Sequence, residues 1–126
     1  PAPQTSTPSS PAPPTHLILL AHGLVGHAED LAEYKSLYLA AAAAQNLPAL
    51  VIDTPVNTGR TKDGVRAGGL RVAHEVRRLV AANPSVEFIS LVGFSLGGLY
   101  VRYAAAALLD PKREGAGERT LCGGRV

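Results

Sequence analysis

The segment Gly93-Phe94-Ser95-Leu96-Gly97 sets one serine between two glycines, a G-x-S-x-G pattern. A serine hydroxyl attacks only when the backbone presents it and a base takes its proton. The flanking residues provide the presentation. An apolar, β-branched run, Val86 to Val92, precedes the motif, and an apolar, alanine-rich run, Leu99 to Leu109, follows it. Strand, sharp turn, helix is the order a nucleophile elbow requires. Such a turn forces Ser95 into a strained conformation with its hydroxyl out over the sheet edge, and Gly93 and Gly97 avoid a collision by having no Cβ. The chemistry on offer is attack on an acyl carbonyl. The resulting oxyanion needs N–H donors. Leu96 brings one at the head of the following helix, where the helix dipole favours negative charge. The loop His22-Gly23-Leu24-Val25-Gly26 brings the other: Gly23 lets the backbone turn, and Leu24 aims its N–H at the developing charge. Each such donor lowers the barrier by about 3–4 kcal/mol.

The elements that must position these residues alternate along the chain. His16 to Ala21 (HLILLA) reads as a buried strand. Ala28 to Gln45 reads as a helix, with Glu29 and Asp30 in its first turn and Leu31, Tyr34, Tyr38 and Ala41 as its apolar stripe. Ala49 to Asp53 is a second strand. Val65, Gly69, Val72, Val76, Leu79 and Val80 mark one face of a second helix, ended by Asn83-Pro84. Three β-α units in series predict an α/β fold, a parallel sheet with helices on both faces and right-handed crossovers. The last helix is apolar almost all round, which predicts deep burial and a carboxylate or carbonyl partner for its one charge, Arg102.

Residues 1–15 contain only Pro, Ala, Ser, Thr and Gln and read as a disordered, PPII-leaning leader. The leader shares the Ser-rich, acid-free character of a plastid transit peptide but lacks its arginines. The ordered domain is expected over 16–110. Beyond Asp110-Pro111 the composition turns to Gly, Arg, Glu and Lys, and 111–126 reads as a disordered tail with no further strand.

Composition narrows the function classes. The 126 residues carry a formal net charge of +2, with no basic run dense enough for a nucleic-acid track. No apolar run approaches the roughly 18–20 residues of a membrane span. The single cysteine, Cys122, permits no intrachain disulfide and fits a reducing, cytoplasmic compartment. None of the four histidines has ligand spacing with a second His or Cys, so no metal is expected. Phosphate-binding glycine motifs are absent from the sequence, so no nucleotide cofactor is expected.

Three segments resemble the lipase-like α/β-hydrolases, and more narrowly the serine esterase family of DUF676 type. They are Leu19-Leu20-Ala21-His22-Gly23-Leu24-Val25-Gly26 with Asp30-Leu31; Asn57-Thr58-Gly59-Arg60-Thr61-Lys62-Asp63-Gly64-Val65, continuing through Gly69, Arg71, Val72, Ala73 and Glu75; and Val92-Gly93-Phe94-Ser95-Leu96-Gly97-Gly98 to Ala104. The middle segment discriminates, because general lipases share the other two. Leu70, where relatives tend to carry an acid, and His27, where a small polar residue is commoner, depart from the pattern. The resemblance implies an α/β-hydrolase fold, hydrolysis of acyl or lipid esters with Ser95 as nucleophile, and peripheral contact with a membrane or lipid droplet.

That family's triad runs serine, acid, histidine along the chain. Here His16, His22, His27 and His74 all precede Ser95, and after it the side-chain carboxylates are Asp110, Glu114 and Glu118. The expectation is a partial α/β-hydrolase fold lacking its C-terminal strands, inactive alone, with an unpaired strand edge through which it self-associates. The alternative is a truncated isoform or pseudoenzyme with at most a binding role. His22 is expected to shape the oxyanion loop rather than act as base. His27, near the site mouth, is the other histidine within reach. Asp53 ends a strand on the same sheet edge as Ser95, but its place in the chain order favours a structural role, as does the Asp63-Gly64 turn.

Overall fold

A computed structural model of the chain describes residues 11–110. Three parallel strands, β1 (His16–Ala21), β2 (Ala49–Asp53) and β3 (Phe88–Gly93), form one sheet in the order β2-β1-β3. The central strand pairs on both sides: Leu20 faces Asp53 in β2 and Val92 in β3. This explains its unbroken apolar sequence, since side chains on both faces are covered. Leu17, Leu19 and Ala21 point into one core with Val72, Val76, Tyr100 and Ala104. Ile18 and Leu20 point the other way, towards Leu31 and Val51.

Helix α1 (Ala32–Ala44) covers the second face, and α2 (Val65–Ala82) with α3 (Leu96–Leu109) covers the first. The chain steps from β1 to β2 on one side, then crosses back over β1 to reach β3 on the other. Reversing direction and face together keeps both crossovers of one hand. The consequence is a switch point between β1 and β3, whose following loops part to opposite faces and open a crevice at the C-terminal strand ends.

Local chemistry sets the boundaries. A single 3-10 turn, Ala28–Leu31, precedes α1, so the expected continuous helix from Ala28 is split. Asn46 ends α1 at φ 54, with its N–H on Ala43 O at 3.1 Å and the Leu47 N–H on Ala42 O at 2.9 Å. That is a Schellman cap, with asparagine in the left-handed position. Helices α2 and α3 approach closely because α2 offers Gly68 and Gly69, against which the rings of Tyr100 and Tyr103 lie. Order starts before β1: Thr15 N–H bonds Pro48 O at 2.9 Å, and Thr15 O accepts Glu87 N–H at 2.8 Å.

Three expectations are corrected. The third strand begins at Phe88 rather than Val86, because the Val86 N–H is taken by a turn to Asn83 O. Helix α3 starts at Leu96, as expected, but it is not buried all round. Arg102 lies on its exposed side with Leu99 and Leu109, and alanine allows this because it suits either environment. The stripe on α1 is also shifted: Leu31 and Tyr38 join the core, while Ala41 is exposed and Ala42 is buried. The leader up to residue 10, and the tail 111–126 with Cys122, lie outside the described residues. Among the described residues β3 pairs only with β1.

Candidate active site

Ser95 sits at the junction of β3 and α3 with φ 53 and ψ −124. A side chain at positive φ is uncommon and costs on the order of 1–3 kcal/mol. The first turn of α3 holds it there: Gly97 N–H bonds Phe94 O at 2.8 Å and Gly98 N–H bonds Ser95 O at 2.9 Å. Ser95 is exposed, and its hydroxyl has no hydrogen-bond partner among the described residues.

The two glycines of the motif are needed for close approach. A Cβ on Gly93 would overlap the Gly97 carbonyl, and one on Gly97 would overlap the carbonyls of Ala21 and His22. The turn is therefore pressed against the end of β1 as well as folded on itself. Phe94 N–H bonds Ala21 O at 3.0 Å and extends the β1–β3 ladder to the residue before the serine.

The loop after β1 meets the same junction from across the crevice. A Cβ on Gly23 would lie 2.9 Å from Ser95 Cβ and 3.3 Å from the Leu96 nitrogen. Gly23-Leu24-Val25-Gly26 forms a tight turn, closed by Gly26 N–H on Gly23 O at 3.0 Å. Of the N–H groups in this neighbourhood, Val25 is bonded to Thr61 Oγ1 at 2.9 Å, and Gly26, Gly97 and Gly98 are bonded to backbone carbonyls. The N–H groups of Gly23, Leu24, Ser95 and Leu96 have no protein partner among the described residues. Unspent donors therefore lie on both segments that meet at the serine, Gly23 and Leu24 on the loop after β1 and Ser95 and Leu96 at the head of α3.

His22 is buried beneath the loop, with Nδ1 3.1 Å from Gly23 O and Nε2 3.1 Å from Thr58 Oγ1. A carbonyl can only accept, so Nδ1 carries a proton, and in the neutral ring Nε2 accepts the Thr58 hydroxyl. Both nitrogens are engaged. None of the other three histidines bonds the Ser95 hydroxyl. His16 stacks on Phe88 at the opposite end of the sheet, with ring centroids 4.7 Å apart. His27 is exposed ahead of the 3-10 turn, where its N–H bonds Asp30 Oδ2 at 2.9 Å. His74 is exposed on α2. Asp53 pairs with Lys35 at 3.2 Å.

Sequence reasoning missed the brace under the loop. Residues 54–64, between β2 and α2, contact the His22–Gly26 loop through Thr58 and Thr61. Arg71 of α2 holds this segment by donating Nη1–H to Asn57 Oδ1 at 3.0 Å and Arg60 O at 3.2 Å, and by pairing with Asp63. The Arg71 guanidinium holds the Asp63 carboxyl below the usual carboxylate range. Asn57 Nδ2–H bonds Gly68 O at 3.2 Å. Gly59 and Gly64 take φ 75 and 98. The spacing Asn-x-Gly-x-Thr-x-Asp-Gly was the available signal.

Apolar side chains are exposed on the segments that meet at the serine. Leu24 is 58% and Val25 64% exposed, Leu99 is exposed one turn into α3, and Tyr34 lies against the ring of Phe94 at 4.5 Å. Among the described residues no helix is long and apolar enough to cross a membrane, and no group of three or more His, Cys, Asp or Glu is placed to hold a metal. A family model described as "Putative serine esterase (DUF676)" matches residues 11–121. No curated protein and no solved structure matches the chain.

Proposed function

The chain belongs to the serine esterase family of DUF676 type, and on that premise we propose that Ser95 is its nucleophile, acting on carboxylic esters with lipid-like acyl chains. The reading rests on one observation above the others: an exposed serine at φ 53, ψ −124 on a strand–helix junction, pressed against the loop after the central strand. In the proposed reaction the Ser95 hydroxyl oxygen bonds to the ester carbonyl carbon and loses its proton to a base. The carbonyl π electrons move to oxygen, where the N–H groups of Leu24 and Leu96 receive the charge. Collapse breaks the bond to the alcohol, which leaves with a proton, and water releases the acid from the acyl-serine. The apolar side chains of Leu24, Val25, Tyr34, Phe94 and Leu99 support an acyl chain rather than a small polar acid.

Among the described residues no side chain bonds the Ser95 hydroxyl as its base. His22, beneath the adjoining loop, spends both ring nitrogens. A second reading, binding without turnover by these residues alone, is favoured by that same observation.

A fluorophosphonate probe, with imidazole added as external base, tests the nucleophile. Phosphonylation mapped to Ser95 by mass spectrometry, and lost in Ser95→Ala, is the expected result. Equal labelling of both proteins rules the nucleophile out. Ester turnover, measured alongside, separates the two readings: labelling without turnover leaves binding.

A further inference from the structure

We propose that Thr61 is a positioning residue for the oxyanion site: its hydroxyl captures the Val25 N–H, holds Val25 at positive φ, and so leaves the Leu24 N–H as the donor beside Ser95. The proposal rests on the esterase reading for its purpose, and on geometry alone for the brace.

Val25 stands at φ 57. For a β-branched residue this is an outlier that persists only when its surroundings impose it. Packing does not impose it, because Val25 is 64% exposed. The one contact that reaches its N–H is the Thr61 hydroxyl, at 2.9 Å. Thr61 is itself fixed. It is buried, and its carbonyl accepts the hydroxyl of Tyr100 at 3.4 Å. Tyr100 is fully buried on α3, five residues beyond Ser95, and burial pushes its phenol up, which keeps it a neutral donor.

The contacts close a ring. Ser95 leads through α3 to Tyr100, Tyr100 bonds Thr61, Thr61 bonds Val25, and Val25 belongs to the turn whose Gly23 abuts Ser95. The serine and the opposite wall of its crevice are thereby set by one connected structure. Without the Thr61 hydroxyl, Val25 loses its acceptor, and its φ is left to the Gly26 N–H bond on Gly23 O alone. The turn then relaxes and carries the Leu24 amide out of place.

Amide exchange by NMR on the full chain reads the brace without catalysis. Slow exchange at Val25 and fast exchange at Leu24 are expected in the unaltered protein. In Thr61→Val, exchange at Val25 accelerates about tenfold or more while Leu19 and Leu20 of β1 keep their protection, and Thr61→Ser restores Val25. Fluorophosphonate labelling of Ser95 slows about tenfold in Thr61→Val. It recovers in Thr61→Ser and in Thr61→Val/Val25→Gly, because glycine takes positive φ without a brace. Should Thr61→Val lose β1 protection, the double variant regains it.

Val25 exchanging as fast as Leu24 in the unaltered chain overturns the proposal. So does labelling unchanged by Thr61→Val, or a double variant that recovers neither labelling nor fold. Absence of any label on unaltered Ser95 defeats the esterase reading separately, and the exchange pattern still decides whether Thr61 holds the turn.

Discussion

Gly23 and Ser95 face each other so closely that a methyl group on the glycine would stand 2.9 Å from the serine Cβ. Two loops that leave the sheet on opposite faces therefore touch at one point, and no side chain fits between them. Gly23→Ala must push the turn away from the Leu96 amide. The expected result is at least about a tenfold loss in Ser95 labelling, with destabilisation of about 1–3 kcal/mol from overpacking. Labelling kinetics and urea unfolding on the same samples check it, and unchanged labelling would show that the contact does not govern the serine.

The helix start distinguishes two neighbouring glycines. A Cβ on Gly97 overlaps the carbonyls of Ala21 and His22, whereas the nearest atom to one on Gly98 is Gly93 O at 3.8 Å. Gly97→Ala is expected to lower unfolding free energy by about 1–3 kcal/mol, because backbone rather than a flexible side chain must give way. Gly98→Ala is expected to raise it by about 0.5–1 kcal/mol through helix propensity. Denaturant titration of both variants measures the difference, and a shared sign would contradict the packing described at the end of β1.

Much of this arrangement was legible in the residues. The runs HLILLA and ALVID could only be strands of a covered parallel sheet, and their bounds, His16–Ala21 and Ala49–Asp53, match the expectation. Helix α2 showed its face through Val72, Val76 and Leu79, all buried. Helix α3 was harder. Alanine carries no sign of which face is inside, so Arg102 read as a buried charge although it is exposed. The brace was hidden for another reason. Thr58, Thr61, Asn57 and Arg71 act through hydrogen bonds between segments up to 36 residues apart, and no local periodicity encodes such contacts.

The Arg71–Asp63 pair gives the brace an acid limit. Arg71 lowers the Asp63 pKa in the folded chain by hydrogen bonding and charge. A carboxylate with a depressed folded pKa stabilises the fold fully above its unfolded value, about 3.9, and loses that contribution as pH falls through the lower folded value. Wild type should therefore lose stability below pH ~4 more steeply than Asp63→Asn, which has no charge to lose. Thermal melts of both proteins between neutral pH and acid test this, and parallel curves would remove Asp63 from the brace's pH response.

Backbone strain at the serine makes the sharpest prediction, because it sets stability against chemistry at one residue. Ser95 occupies φ 53, ψ −124, a conformation in which a Cβ is costly and glycine is not. Ser95→Ala removes the hydroxyl but keeps the Cβ, so it should leave stability close to wild type. Ser95→Gly removes both. Relief of the strain outweighs the greater freedom that glycine gives the unfolded chain, and a gain of about 1 kcal/mol is expected. Both variants should fail to take up fluorophosphonate. Equilibrium unfolding distinguishes them: if Ser95→Gly is no more stable than Ser95→Ala, the junction is not strained, and the geometric argument for Ser95 as a presented nucleophile loses its basis.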